Sequence, residues 1–91
     1  MSAMSDFDLH PHAPRAHRQP SARFGPVIRA LRESRGWSQE QLAGQASLNR
    51  SYMGEIERSA AMPSLATAEK LAHAFDVPLS ELISRCESTS A

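Results

Sequence analysis

Between Phe24 and Cys86 the apolar residues recur at three- and four-residue spacings, and each run is stopped after a few turns by a cap or a breaker. No stretch alternates apolar and polar residues with period two, so a sheet has nothing to be built from. Short amphipathic helices of this kind are marginal alone and persist only by burying their apolar faces against one another. The expected architecture is therefore all-α. A chain of 91 residues has material for one such core and no more.

The punctuation divides the pattern into five helices. The first is expected over Phe24 to Arg35. Pro26 suits the opening turn, where its missing N–H costs nothing, and Gly36 supplies the left-handed residue that ends the helix. Val27, Ile28 and Leu31 make its apolar stripe. Ser38, followed three positions later by Gln41, is a capping box that starts a second helix over Gln39 to Gln45, with Leu42, Ala43 and Ala46 as its apolar face. Ala46, Ser47 and Leu48 form a tight turn. Asn49, a strong N-cap, then starts a third helix over Arg50 to Arg58, with Met53 and Ile56 inward. The loop Ser59 to Pro63 precedes a fourth helix over Leu65 to Phe75, with Leu65, Ala68, Leu71, Ala72 and Phe75 inward. Asp76 and Pro78 stop it, and a fifth helix follows over Leu79 to Arg85. Residues 1–23, with Pro11, Pro14 and Pro20 and no helical or strand period, are expected to be a disordered arm. The domain proper is expected over 24–86, with a flexible tail at 87–91.

Composition removes several function classes. The single cysteine, Cys86, excludes an intramolecular disulfide framework and any Cys-rich zinc site. No apolar run is long enough for a membrane span and no signal peptide opens the chain, so a cytoplasmic location is expected. No phosphate-binding glycine loop or nucleophile motif is present, and His73 has no acid–base partner at a useful spacing, so neither catalysis nor a cofactor is expected. His10, His12 and His17 read as a solvated tail rather than a metal site. Ten Lys and Arg against ten Asp and Glu make the chain neutral, which first reads as evidence against nucleic acid. Its distribution reverses that reading. Residues 15–58 hold eight Arg against Glu33, Glu40, Glu55 and Glu57, a net +4, and the segments on either side carry −2 each.

The second and third helices, joined by a three-residue turn, have the form of a helix-turn-helix, whose second member lies in the DNA major groove. At about 100° per residue, Arg50, Ser51, Gly54, Glu55 and Arg58 share one face of the third helix, and Met53, Ile56 and Glu57 share the other. Arg50 can donate two hydrogen bonds to guanine O6 and N7. Glu55 can accept from cytosine N4 or orient Arg50. Ser51 and Tyr52 can donate to phosphates or bases, Tyr52 from the flank where it can equally pack on the core. Gln39 opens the second helix beside its exposed amides, where an anion is favoured, and is within reach of Arg50.

Six stretches, Ile28–Arg32, Gly36–Ala43, Leu48–Arg58, Pro63–Leu65, Lys70–Ala72 and Val77–Leu82, resemble in that order and spacing the Cro/C1-type (XRE) helix-turn-helix domain. Within that family the chain looks most like short single-domain regulators, including restriction-modification controller proteins. The resemblance implies a five-helix lambda-repressor-like fold and DNA contacts from Gln39, Asn49, Arg50, Ser51, Tyr52, Glu55 and Arg58. It also implies an internal ion pair between Arg32 and Glu57. The usual glycine and basic residues after the third helix are replaced by Ser59, Ala60, Ala61 and Met62, which leaves only backbone amides there for phosphate. The expected partner is double-stranded DNA, bound by a homodimer whose surface is sought at Val77, Leu79, Leu82, Ile83 and Cys86. The competing expectation is an antitoxin-like module with a protein partner as well as its own operator.

Overall fold

The computed structural model describes residues 20–87, which form five α-helices: α1 (Pro20–Ser34), α2 (Gln39–Ala46), α3 (Arg50–Glu57), α4 (Leu65–Phe75) and α5 (Leu79–Glu87). No strand occurs among the described residues. The disordered arm expected from residue 1 and the flexible tail expected to residue 91 lie, at residues 1–19 and 88–91, outside them. Helix α1 packs on α3 and α5, α2 packs on α3 and α4, and α4 packs on α5.

The caps set the helix starts. Ser38 Oγ accepts from the Gln41 amide at 3.0 Å, and Gln41 Oε1 accepts from the Ser38 amide at 2.7 Å, completing the capping box of α2. Asn49 Oδ1 accepts from the amides of Ser51 at 2.7 Å and Tyr52 at 3.2 Å. Ser64 Oγ does the same for Thr67 at 3.1 Å at the head of α4. The ends share another device. Gly36, Ser47, Ser59 and Asp76 all have φ between 58° and 72°. At α1 the Trp37 amide reaches back to the Arg32 carbonyl and the Gly36 amide to that of Glu33, a Schellman closure repeated at Leu48 and Val77. Three of these four left-handed residues carry a side chain, a conformation that costs roughly 1–2 kcal/mol away from glycine.

Helix α1 begins one turn earlier than expected. Pro20 takes the first helical position and Pro26 lies inside the helix, so the last residues assigned to the arm belong to the domain. Both prolines fit a first turn, and the local pattern does not choose between them. The choice is made by packing: Phe24 and Gly25, upstream of Pro26, are buried. A Cβ on Gly25 would stand 2.4 Å from the Ile56 carbonyl oxygen and 2.8 Å from that of Glu57. Only a glycine lets α1 cross the end of α3 this closely.

The core joins Phe24, Ile28 and Leu31 of α1 to Leu42, Ala43 and Ala46 of α2, with Met53 and Ile56 of α3 between them. Ala68, Leu71, Ala72 and Phe75 close it from α4, and Leu82 and Cys86 from α5. Each large side chain buried in this way contributes about 1.5–3 kcal/mol, which is what holds two eight-residue helices in place. Leu65, expected inward, is 68 % exposed: it occupies the first position of α4, and the buried face begins a turn later at Ala68. Trp37 stacks on Phe75 with ring centroids 5.7 Å apart, the Arg35 guanidinium lies over both rings, and Arg35 Nη2 donates to the Phe75 carbonyl at 2.8 Å. This clasp ties the end of α1 to the end of α4.

Candidate nucleic-acid interface

The positions of α2 and α3 are fixed by a buried charge. Glu57, 7 % exposed, sits on the inner side of α3 facing α1. Arg32 Nε donates to Glu57 Oε2 at 2.7 Å and Arg32 Nη2 to Oε1 at 2.9 Å, a two-pronged pair between α1 and α3. Arg32 Nη1 donates to the Trp37 carbonyl at 2.9 Å, and Gln39 Nε2 donates to Glu57 Oε1 at 3.0 Å. One carboxylate thus accepts from both α1 and α2 while standing on α3. Burial pushes its pKa up, but the hydrogen bonds from Arg32 and then Gln39, with the Arg32 charge, outweigh that and hold it below the ordinary carboxylate value. The Arg32 pKa is raised, chiefly by its hydrogen bond to Glu57.

Outside this bracket, Gln39, Arg50, Ser51, Gly54, Glu55 and Arg58 line one polar groove of about 360 Å³. Five of these six are residues that the sequence singles out for DNA. Arg50, Ser51, Glu55 and Arg58 are exposed. The ion pairs among the described residues are Arg29–Glu33, Arg32–Glu57 and Arg85–Glu81, so neither Arg50 nor Arg58 is spent on a carboxylate. The net +4 of the sequence is therefore reduced, at this surface, to two unpaired guanidiniums beside one carboxylate.

Other assignments change. Gln39 braces Glu57 rather than Arg50, because its amide nitrogen is taken by the buried carboxylate. Asn49 has its side-chain oxygen committed to the α3 cap, which leaves its amide nitrogen for anything outside. Tyr52 is half-buried and packs against the core. After α3, the amides of Ala60 and Ala61 donate to the Glu55 carbonyl and that of Ser59 to the Ile56 carbonyl, so three backbone donors that could have met phosphate are used internally. The expected dimer surface is also corrected. Leu82 and Cys86 are fully inside the protomer's own core, and Val77 and Leu79 are partly buried against it. Only Ile83 of that set faces outward, 37 % exposed. Burial pushes the Cys86 thiol pKa up, away from the reactive thiolate. Gly25, whose close approach positions α3, was not singled out by the sequence; the one available signal was a glycine inside an apolar helical run.

No group of His, Cys, Asp and Glu side chains among the described residues could hold a metal ion, and no helix there is long and apolar enough to cross a membrane.

Comparison with known proteins agrees with this geometry. The helix-turn-helix family profile matches residues 28–82. The chain is 37 % identical over 70 residues to the transcriptional regulator SutR of Escherichia coli, an alignment covering 76 % of this chain and 39 % of that protein. It is 42 % identical over 59 residues to the immunity repressor of Bacillus phage phi105, covering 65 % of this chain and 41 % of the repressor. The chain thus spans about two fifths of these two relatives. Among solved structures, the restriction-modification controller protein C.AhdI of Aeromonas hydrophila superposes with a TM-score of 0.64 at 44 % identity, covering 67 % of this chain and 92 % of that one. The family is one of DNA-binding regulators rather than enzymes. The chain belongs to the helix-turn-helix family, in its Cro/C1-type (XRE) form.

Proposed function

We propose that this protein is a sequence-specific regulator of transcription, a repressor or autoregulator, that binds a palindromic operator in the cytoplasm as a homodimer with α3 in the major groove. The observation that carries the reading is the groove itself: two unpaired guanidiniums, Arg50 and Arg58, beside Ser51 and Glu55 on a helix locked from behind by Arg32 and Gln39 through Glu57. A rigid support matters because a bidentate guanine contact tolerates little misplacement. In this reading Arg50 reads a guanine, Glu55 reads a cytosine or steers Arg50, and Ser51 and Arg58 grip the backbone. The similarity to SutR, the phage repressor and C.AhdI supports the regulatory role. One such module buries limited DNA surface, and pairing two across a twofold axis is the usual remedy. Ile83, with the partly buried Val77 and Leu79 beside it, is the part of the expected dimer surface still open to a second protomer.

Selection from a pool of random duplexes with the full chain tests this reading. The expected product is an inverted repeat whose half-sites lie about 10 bp apart centre to centre. A retained pool with no enriched sequence would overturn it.

A further inference from the structure

Two glycines are buried in helices of this fold, and they have different reasons to be glycine. At Gly25 a side chain would collide with backbone oxygens of α3. At Gly54 it would not. A Cβ there meets only Arg58 Nη1 at 3.1 Å and Gln39 Oε1 at 3.6 Å, both ends of side chains, and the former can move by a few tenths of an ångström. Gly54 lies within α3 and needs no left-handed backbone. Nothing in the fold calls for a glycine at a position where alanine is the better helix former.

What Gly54 does provide is a stretch of α3 with no side chain of its own, over which the Arg58 guanidinium lies in the groove it shares with Arg50. Arg50, Gly54 and Arg58 are spaced four residues apart, on one face and a turn apart from each other. With no side chain between them, the Arg58 guanidinium lies back across the helix onto Gly54, close to Gln39. We propose that Gly54 is a specificity-determining residue: its missing side chain lets the Arg58 guanidinium lie low against α3, and so lets a base pair approach the helix more closely there than a side chain at this position would allow. This rests on the proposed DNA reading and deepens it.

The test is Gly54→Ala in the full chain, with Gly54→Ser as a second variant, each melted and each titrated against the operator selected by the wild type and against a scrambled duplex. The alanine variant is expected to melt about 4–8 °C higher, from helix propensity alone. It is expected to bind the operator at least about tenfold more weakly while binding the scrambled duplex as the wild type does. A repeat selection with Gly54→Ala loses the preference at one base pair per half-site. Undiminished operator binding by Gly54→Ala overturns the proposal, as does a lower melting temperature, which would mean that the fold needs the glycine. An equal loss on both duplexes overturns it too. If the wild type itself selects no sequence, the DNA reading has failed and this proposal falls with it, an outcome distinct from the other three.

Discussion

Removing the Glu57 carboxylate should cost this domain a large share of its stability. Glu57→Ala deletes the acceptor of three hydrogen bonds, at 2.7, 2.9 and 3.0 Å, and leaves Arg32, whose side chain is only 12 % exposed, with the Trp37 carbonyl as its remaining partner. Breaking one side of a buried pair costs about 3–5 kcal/mol, because the surviving charge stays desolvated. A domain of this size has roughly 3–10 kcal/mol in total. Thermal melts followed by circular dichroism should therefore show a drop of at least about 12 °C, or no cooperative transition. Replacing both partners by apolar residues, Arg32→Met with Glu57→Leu, should cost less than Glu57→Ala alone, since no uncompensated charge remains. The same carboxylate sets an acid limit. Folding lowers the Glu57 pKa, so its contribution is complete above about pH 4.3 and is lost as pH falls through the lowered folded value. Glu57→Gln should flatten that part of the stability profile. A Glu57→Ala melt within about 4 °C of wild type would refute the idea that this carboxylate brackets α1, α2 and α3.

Arg50→Ala should cost about 1–3 kcal/mol at a single base pair, measured against singly substituted operators; a uniform loss across all of them would refute base reading. Ser47→Gly and Asp76→Gly should each raise the melting temperature by a few degrees, because both residues hold a left-handed φ near 60° with a side chain attached. Ile83→Asp should reduce self-association in sedimentation equilibrium while leaving the melt of dilute protein nearly unchanged, because its side chain is outside the core.

The parts of this fold that were legible in the sequence are those governed by neighbours in the chain. Ser38 with Gln41, Asn49 and Ser64 each bond within three residues of themselves, so the starts of α2, α3 and α4 could be read directly. The parts that were not legible depend on contacts across the fold. Pro20 and Pro26 are equally good openings for α1 until the burial of Phe24 and Gly25 decides between them. The partnership of Arg32 with Glu57 joins residues far apart in sequence and came only with the family resemblance; that Gln39 completes it could not have come from spacing at all. In α5 the apolar stripe is wide enough that periodicity cannot separate Leu82 and Cys86, which face the core, from Ile83, which does not. The face of α3 was readable because Met53 and Ile56 point inward and so turn Arg50, Ser51, Glu55 and Arg58 outward.

In the proposed function, the groove over α3 is the surface that meets a duplex. Titrating isotope-labelled full-length protein with its selected operator, and following each backbone amide by NMR, tests this most directly. The largest shifts are expected on Gln39, Arg50, Ser51, Gly54 and Glu55, with the exposed face of α4 little changed. Shifts concentrated on α4 and α5, with α3 silent, would contradict this reading.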